Sequence, residues 1–167
     1  MKILYSKEIE RLYLQMFSML FEYARSTLPN DALAEEAVQE TFRIACQKPE
    51  ALCSSPNPEG WLVNTLKNVM CNMERSRNIA KRILHGYFAA NLTELTITND
   101  KLGVEVLYED IADTEEFKLL KEMAIDGRSY LEMADSRNIS IDTCRKRVQR
   151  AKETLSAFCG AQRQLVR

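Results

Sequence analysis

Apolar side chains recur every third or fourth residue along most of this chain. That spacing restricts the fold to packed amphipathic helices. Between Glu8 and Leu28 the apolar positions are Ile9, Leu12, Tyr13, Met16, Leu20, Tyr23 and Ala24. Pro29-Asn30 ends this helix, and Asp31 is the expected N-cap of a second. The buried stripe of the second is Leu33, Ala37, Val38, Thr41, Ile44 and Ala45, with Pro49 just beyond its end. A loop over 51–57 leads to Asn57, the cap of a third helix. Pro58 takes its first position, where a missing N–H costs nothing. The third helix runs to Arg77 or beyond on Trp61, Leu62, Leu66, Val69, Met70 and Met73. Only 5 Gly and 4 Pro punctuate the 167 residues, which excludes a turn-rich β fold.

Residues 88–109 break the pattern. Asn91-Leu92-Thr93 and Thr96-Ile97-Thr98-Asn99-Asp100 are poor helix formers and Gly103 follows, so the segment is expected as a linker. The alternation Leu95-Thr96-Ile97-Thr98 also admits a short strand there. Beyond it a helix over 113–125 stops at Asp126-Gly127. Ser129-Tyr130-Leu131-Glu132 is a capping box, opening a short helix that ends near Arg137-Asn138. Asn tolerates the left-handed backbone of a tight turn. Ser140 caps the last helix, whose stripe is Cys144, Val148, Ala151 and Leu155. The expected fold is therefore all-α. It has two small helical domains, 1–87 and 110–167, joined by the linker 88–109, and the C-terminal one is a helix-turn-helix.

Composition excludes several function classes. No apolar run approaches the ~18 residues of a membrane span. The N-terminal residues lack a secretion signal, so a cytoplasmic protein without membrane partners is expected. The cysteines, Cys46, Cys53, Cys71, Cys144 and Cys159, are odd in number and never spaced as Cys-x-x-Cys. With His85 as the one histidine, neither a metal site nor a disulfide framework is expected, and the thiols are expected as core residues. No Gly-rich phosphate loop and no convergent acid–base set is present, so no enzyme and no cofactor is expected. Net charge is −1, unevenly spread. Segments 1–59, 60–90, 91–126 and 127–167 carry −3, +4, −7 and +5. The two basic segments suit two places that meet phosphate, or two solvated helix faces.

A braced second helix can present its N-terminal residues to base edges in the major groove. By position these are Ser140, Asp142, Thr143, Arg145 and Lys146. Arg147, Arg150 and Lys152 are placed for phosphates, which fix register without reading sequence. Asp142 has two readings, acceptor from a cytosine amino group or aid to the helix cap.

The string Ser140-Ile141-Asp142-Thr143-Cys144-Arg145-Lys146-Arg147-Val148-Gln149-Arg150-Ala151-Lys152 resembles region 4.2 of the extracytoplasmic-function sigma factors, a group of the sigma-70 family. Tyr130-Leu131-Glu132-Met133-Ala134 resembles their Glu-Ile-Ala helix. Ala34-Glu35-Glu36-Ala37-Val38-Gln39-Glu40-Thr41-Phe42 resembles their region 2 signature, and Asn57-Pro58 through Trp61-Leu62, Lys67-Asn68 and Arg75 is similar to the string that follows it. Cys144 stands where Val is usual, Arg145 where Lys is, and Asn72 where Asp is.

The resemblance implies a sigma factor that directs promoter-specific initiation. Glu36, Gln39, Glu40 and Arg43 would meet the β′ clamp helices of core RNA polymerase. Lys67, Asn68, Arg75 and Arg77 would meet the −10 element, and the C-terminal domain the −35 element and the β flap. Trp61 fits either the core or a stacking platform for a flipped base. Family members are often held inactive by an anti-sigma factor, which makes one a candidate partner. The alternative from the residues alone is a stand-alone helix-turn-helix regulator, dimeric on a palindrome.

Overall fold

The computed structural model describes residues 2–98 and 114–165, and among them every element is helical. The helices are α1 (Lys2–Thr27), α2 (Asp31–Gln47), α3 (Pro49–Cys53), α4 (Pro58–Thr98), α5 (Glu115–Ala124), α6 (Tyr130–Asp135) and α7 (Ile141–Leu165). The chain divides into two compact units, 1–75 and 76–167. The division falls inside α4.

In the first unit α1, α2, α3 and the first part of α4 close on one core. Leu12, Met16, Leu20 and Ala24 of α1 meet Ala34, Ala37, Val38 and Phe42 of α2 and Leu62, Leu66, Val69 and Met70 of α4. Burying a side chain of Leu size stabilises by about 1.5–3 kcal/mol. Tyr13 and Tyr23 share the spacing of the α1 stripe but stand at its edges, each 41% exposed. Trp61 is half-buried and packs against the core. The N-cap of α2 is Asn30 rather than Asp31: its side chain accepts from the Leu33 N–H at 2.9 Å. Part of the expected loop is instead α3, anchored by fully buried Leu52. Asn57 caps α4 as expected, its Oδ1 accepting from the Gly60 N–H at 2.9 Å. A Cβ on residue 60 would lie 2.6 Å from the Asn57 amide nitrogen, so a larger residue there would have to displace the capping side chain.

The second unit has its own core. Phe117, Leu119, Leu120 and Met123 of α5, Met133 and Ala134 of α6, and Cys144, Val148, Ala151 and Leu155 of α7 supply most of it. Ala80, Leu84 and Tyr87 of α4 complete it. Residues 76–87 thus belong with the C-terminal helices, although the sequence pattern groups them with the first domain. The expected linker is helical from 88 to 98, which replaces the alternative of a strand at 95–98. Residues 99–109 of that linker lie outside the described residues.

Local caps shape the C-terminal helices. Thr114 caps α5 through the Phe117 N–H. Gly127 turns with φ 70°. The capping box is complete: Ser129 Oγ accepts from the Glu132 N–H, and the Glu132 carboxylate accepts from the Ser129 N–H at 2.8 Å. Asn138 takes φ 51°, the left-handed turn expected of it. Ser140 Oγ accepts from the Thr143 N–H at the start of α7. Of the cysteines only Cys144 is buried, while Cys46 and Cys71 are exposed, so the expectation of core thiols holds at one position.

Because α4 supplies Ala80, Leu84 and Tyr87 to the second core, a fragment of residues 110–167 is expected to show no cooperative thermal transition by circular dichroism. A fragment of residues 76–167 is expected to show one. Cooperative melting of the shorter fragment contradicts this packing.

Candidate nucleic-acid and polymerase interface

In the first unit, positions 36, 39, 40 and 43 follow i, i+3, i+4, i+7 spacing and so share one face of α2. Gln39 and Arg43 are exposed, Glu36 and Glu40 half-buried. The Arg43 guanidinium straddles the Glu40 carboxylate, its Nε donating at 2.8 Å. Gln39 donates to Glu35 at 3.1 Å. The result is a polar, mostly acidic face, suited to a basic partner. Tyr13 flanks it, its ring 4.9 Å from that of Phe42.

On α4 the structure brings together Lys67, Asn68 and Arg75 and adds three neighbours. Asn64, Lys67, Asn68, Cys71, Asn72 and Arg75 are all exposed, and at 100° per residue they span about 140° of the helix. Arg75 donates to Asn72 Oδ1 at 3.4 Å. The asparagines offer donors and acceptors beside the cations. Arg77 is not part of this stripe. Ten residues beyond Lys67, it is rotated to the other side of α4, is half-buried and belongs to the second unit. Tyr23 borders this candidate surface, a placement that sequence reasoning misses. Its spacing assigns it to the core, yet its exposed ring lies 5.9 Å beneath the Lys67 ammonium. Its signal is visible in the sequence only once α1 and α4 are known to be neighbours. An exposed aromatic beside a cation is the pairing that single-stranded nucleic acid uses for stacking and phosphate contact.

In the second unit the exposed surface of α7 carries Asp142, Thr143, Lys146, Arg147, Gln149 and Arg150, with Ser140 at its start. Ser140 and Thr143 hydroxyls lie 2.8 Å apart, so both serve the cap. Asp142 lies in the first turn, where the helix dipole favours its charge. Arg145 is half-buried, its guanidinium 5.6 Å from the Tyr130 ring centre. Lys152 departs from the expectation. Its Nζ is turned onto α4 and donates to Ser76 Oγ at 2.6 Å. Burial there pushes its ammonium below the ordinary lysine range.

Two other cations are structural. Arg137 and Arg128 both donate to Glu122, at 2.9 and 3.0 Å. The cluster ties α5 to the turn that sets the angle of α7. Both arginines count toward the basic surplus of 127–167 without being available to a partner.

Fold and surface define a class first: an all-helical chain that presents one polar, cation-bearing helix face in each of two units. A comparison with protein families then gives the particular kinship. Residues 12–84 match the family model described as Sigma-70 region 2. The match covers the acidic face of α2 and the polar stripe of α4, and it runs beyond Ser76 into the second unit. Residues 12–84 are therefore similar to sigma-70 region 2, which in sigma factors binds core RNA polymerase and melts the promoter. No curated protein and no solved structure matches the chain. Among the described residues no helix is long and apolar enough to cross a membrane.

Arg137, and after it Arg128, holds the Glu122 carboxyl below the ordinary carboxylate range. A depressed folded value means stabilisation that is present above the unfolded value and lost as pH falls through the folded one. Glu122→Gln is therefore expected to cost about 1–2 kcal/mol in urea unfolding at neutral pH. The difference from the parent is expected to shrink as pH falls from neutral to acid, through and below the ordinary carboxylate range. An equal cost at neutral and acid pH contradicts the assignment.

Proposed function

We propose that this chain is a sigma factor of the extracytoplasmic-function group, directing core RNA polymerase to promoters through their −10 and −35 elements. The observation that carries the proposal is the coincidence of the region 2 match with two polar helix faces, a partly exposed one at 36–43 and an exposed one at 64–75. The α2 face meets the β′ clamp helices of polymerase. The α4 stripe, with Lys67, Asn68 and Arg75, engages the −10 element, and Tyr23 offers a stacking surface beside Lys67. Arg77, rotated off that stripe, is left out of the −10 set.

The −35 assignment rests on α6 and α7 as a helix-turn-helix. The complete capping box and the Asn138 turn support it, as does the exposure of Thr143, Lys146, Arg147 and Arg150. Thr143 and Lys146 stand nearest base edges, Arg147 and Arg150 nearest phosphates. The β flap would support this unit, and an anti-sigma factor would act by covering these faces. The chain works in the cytoplasm, where polymerase is, and does no chemistry of its own. Each DNA-binding face is small, so tight binding needs polymerase to hold both at once.

Fluorescence anisotropy on a promoter duplex tests this. The chain alone is expected to bind weakly, and core polymerase to raise affinity by about 100-fold or more. In the complex Arg150→Ala is expected to lower the salt slope by about one. Lys152→Ala is expected to change it less. Tight, specific binding by the chain alone, as a two-fold complex on a palindrome, contradicts the proposal and supports the stand-alone regulator.

A further inference from the structure

Lys81, Leu84, His85 and Phe88 follow i, i+3, i+4, i+7 spacing and so share one stripe of α4. Phe117 and Ala124 are two turns apart on α5, and Ile125 ends that helix. Within the second unit these two stripes enclose a cavity of about 510 Å³. Ligand pockets commonly run from about 300 to 1,000 Å³.

The cavity is apolar inside and cationic at its mouth. Leu84, Phe117 and Ala124 are each buried and form its floor. Phe88 and Phe117 meet edge to face, ring centres 5.5 Å apart, and make one wall. Ile125, 62% exposed, is an apolar lip. Lys81 and His85 are exposed at the opening, and neither has an ion pair or hydrogen bond among the described residues. Asp126, the acid next to Ile125, is engaged by Lys121 at 3.1 Å.

These features select a class of ligand. Water in an apolar cavity finds few hydrogen-bond partners, so replacing it with aliphatic surface is favourable. The mouth offers one ammonium and one imidazole N–H, a donor pair that suits a single carboxylate. A cationic head would be repelled there by Lys81.

We propose that this cavity binds an amphipathic monocarboxylate, its aliphatic chain of about eight to twelve carbons inside and its carboxylate on Lys81 and His85. Such a ligand bridges α4 and α5 and stabilises the second unit by mass action. The site stands whether or not the chain binds promoters.

Octanoate below its micelle concentration is the probe, titrated calorimetrically into the full chain. One octanoate per chain should bind. Octanol, with the same chain length and no charge, should bind about tenfold more weakly, and octyltrimethylammonium more weakly still. At ten times its Kd, octanoate is expected to slow amide exchange at 84–88 and 117–125 by about tenfold. Lys81→Ala should weaken octanoate about tenfold and leave octanol unchanged, a split that loss of fold would not produce. Ile125→Glu, at an exposed position, should weaken both, with helicity by circular dichroism unchanged. Octanol binding as tightly as octanoate overturns the proposal, as does a stoichiometry well above one or an unchanged octanoate affinity in Lys81→Ala. Protection of the same amides by core polymerase and not by octanoate also overturns it, and marks the cavity as a protein contact.

Discussion

The structure depends on one helix serving two cores. Through Met70, α4 gives Leu62, Leu66, Val69 and Met70 to the first unit. From Ala80 it gives Ala80, Leu84 and Tyr87 to the second. Without the first set, α1 and α2 would lack a third wall. Without the second, α5, α6 and α7 would enclose a smaller core than most independent domains can live on. The polar stripe at 64–75 is exposed because the apolar side of the same turns is committed to the first core. The proposed DNA-binding face and the packing face are opposite sides of a single element.

Electrostatics adds a second constraint. The basic surplus of the C-terminal segment is not all available to a partner. Arg128 and Arg137 are engaged by Glu122, Arg145 lies over Tyr130, and Lys152 is drawn to Ser76. What remains on the exposed side of α7 is a narrower set centred on Lys146, Arg147 and Arg150. A narrow face fits a module that holds DNA only when a larger assembly supplies the rest of the affinity.

Much of this is legible in the sequence where the deciding chemistry is local. The capping box at Ser129 and Glu132, the left-handed Asn138, the Asn57-Pro58 helix start and the shared face of Glu36, Gln39, Glu40 and Arg43 all follow from residues within a few positions of each other. Asn30 and Asp31 are adjacent residues of equal capping ability, and spacing alone does not choose between them. Other features depend on distant partners. Tyr23 fits an apolar stripe, and its exposure reflects where α4 crosses α1. Lys152 fits a basic run, and its orientation is set by Ser76, some seventy residues away in the chain.

Amide hydrogen exchange across residues 80–87 in the free, full-length chain tests the shared helix most directly. Core amides should open only with the unit they belong to. The account predicts that these amides are protected as strongly as those of Leu120 and Val148 and exchange together with them. Rapid exchange at 80–87, with α5 and α7 still protected, would contradict it.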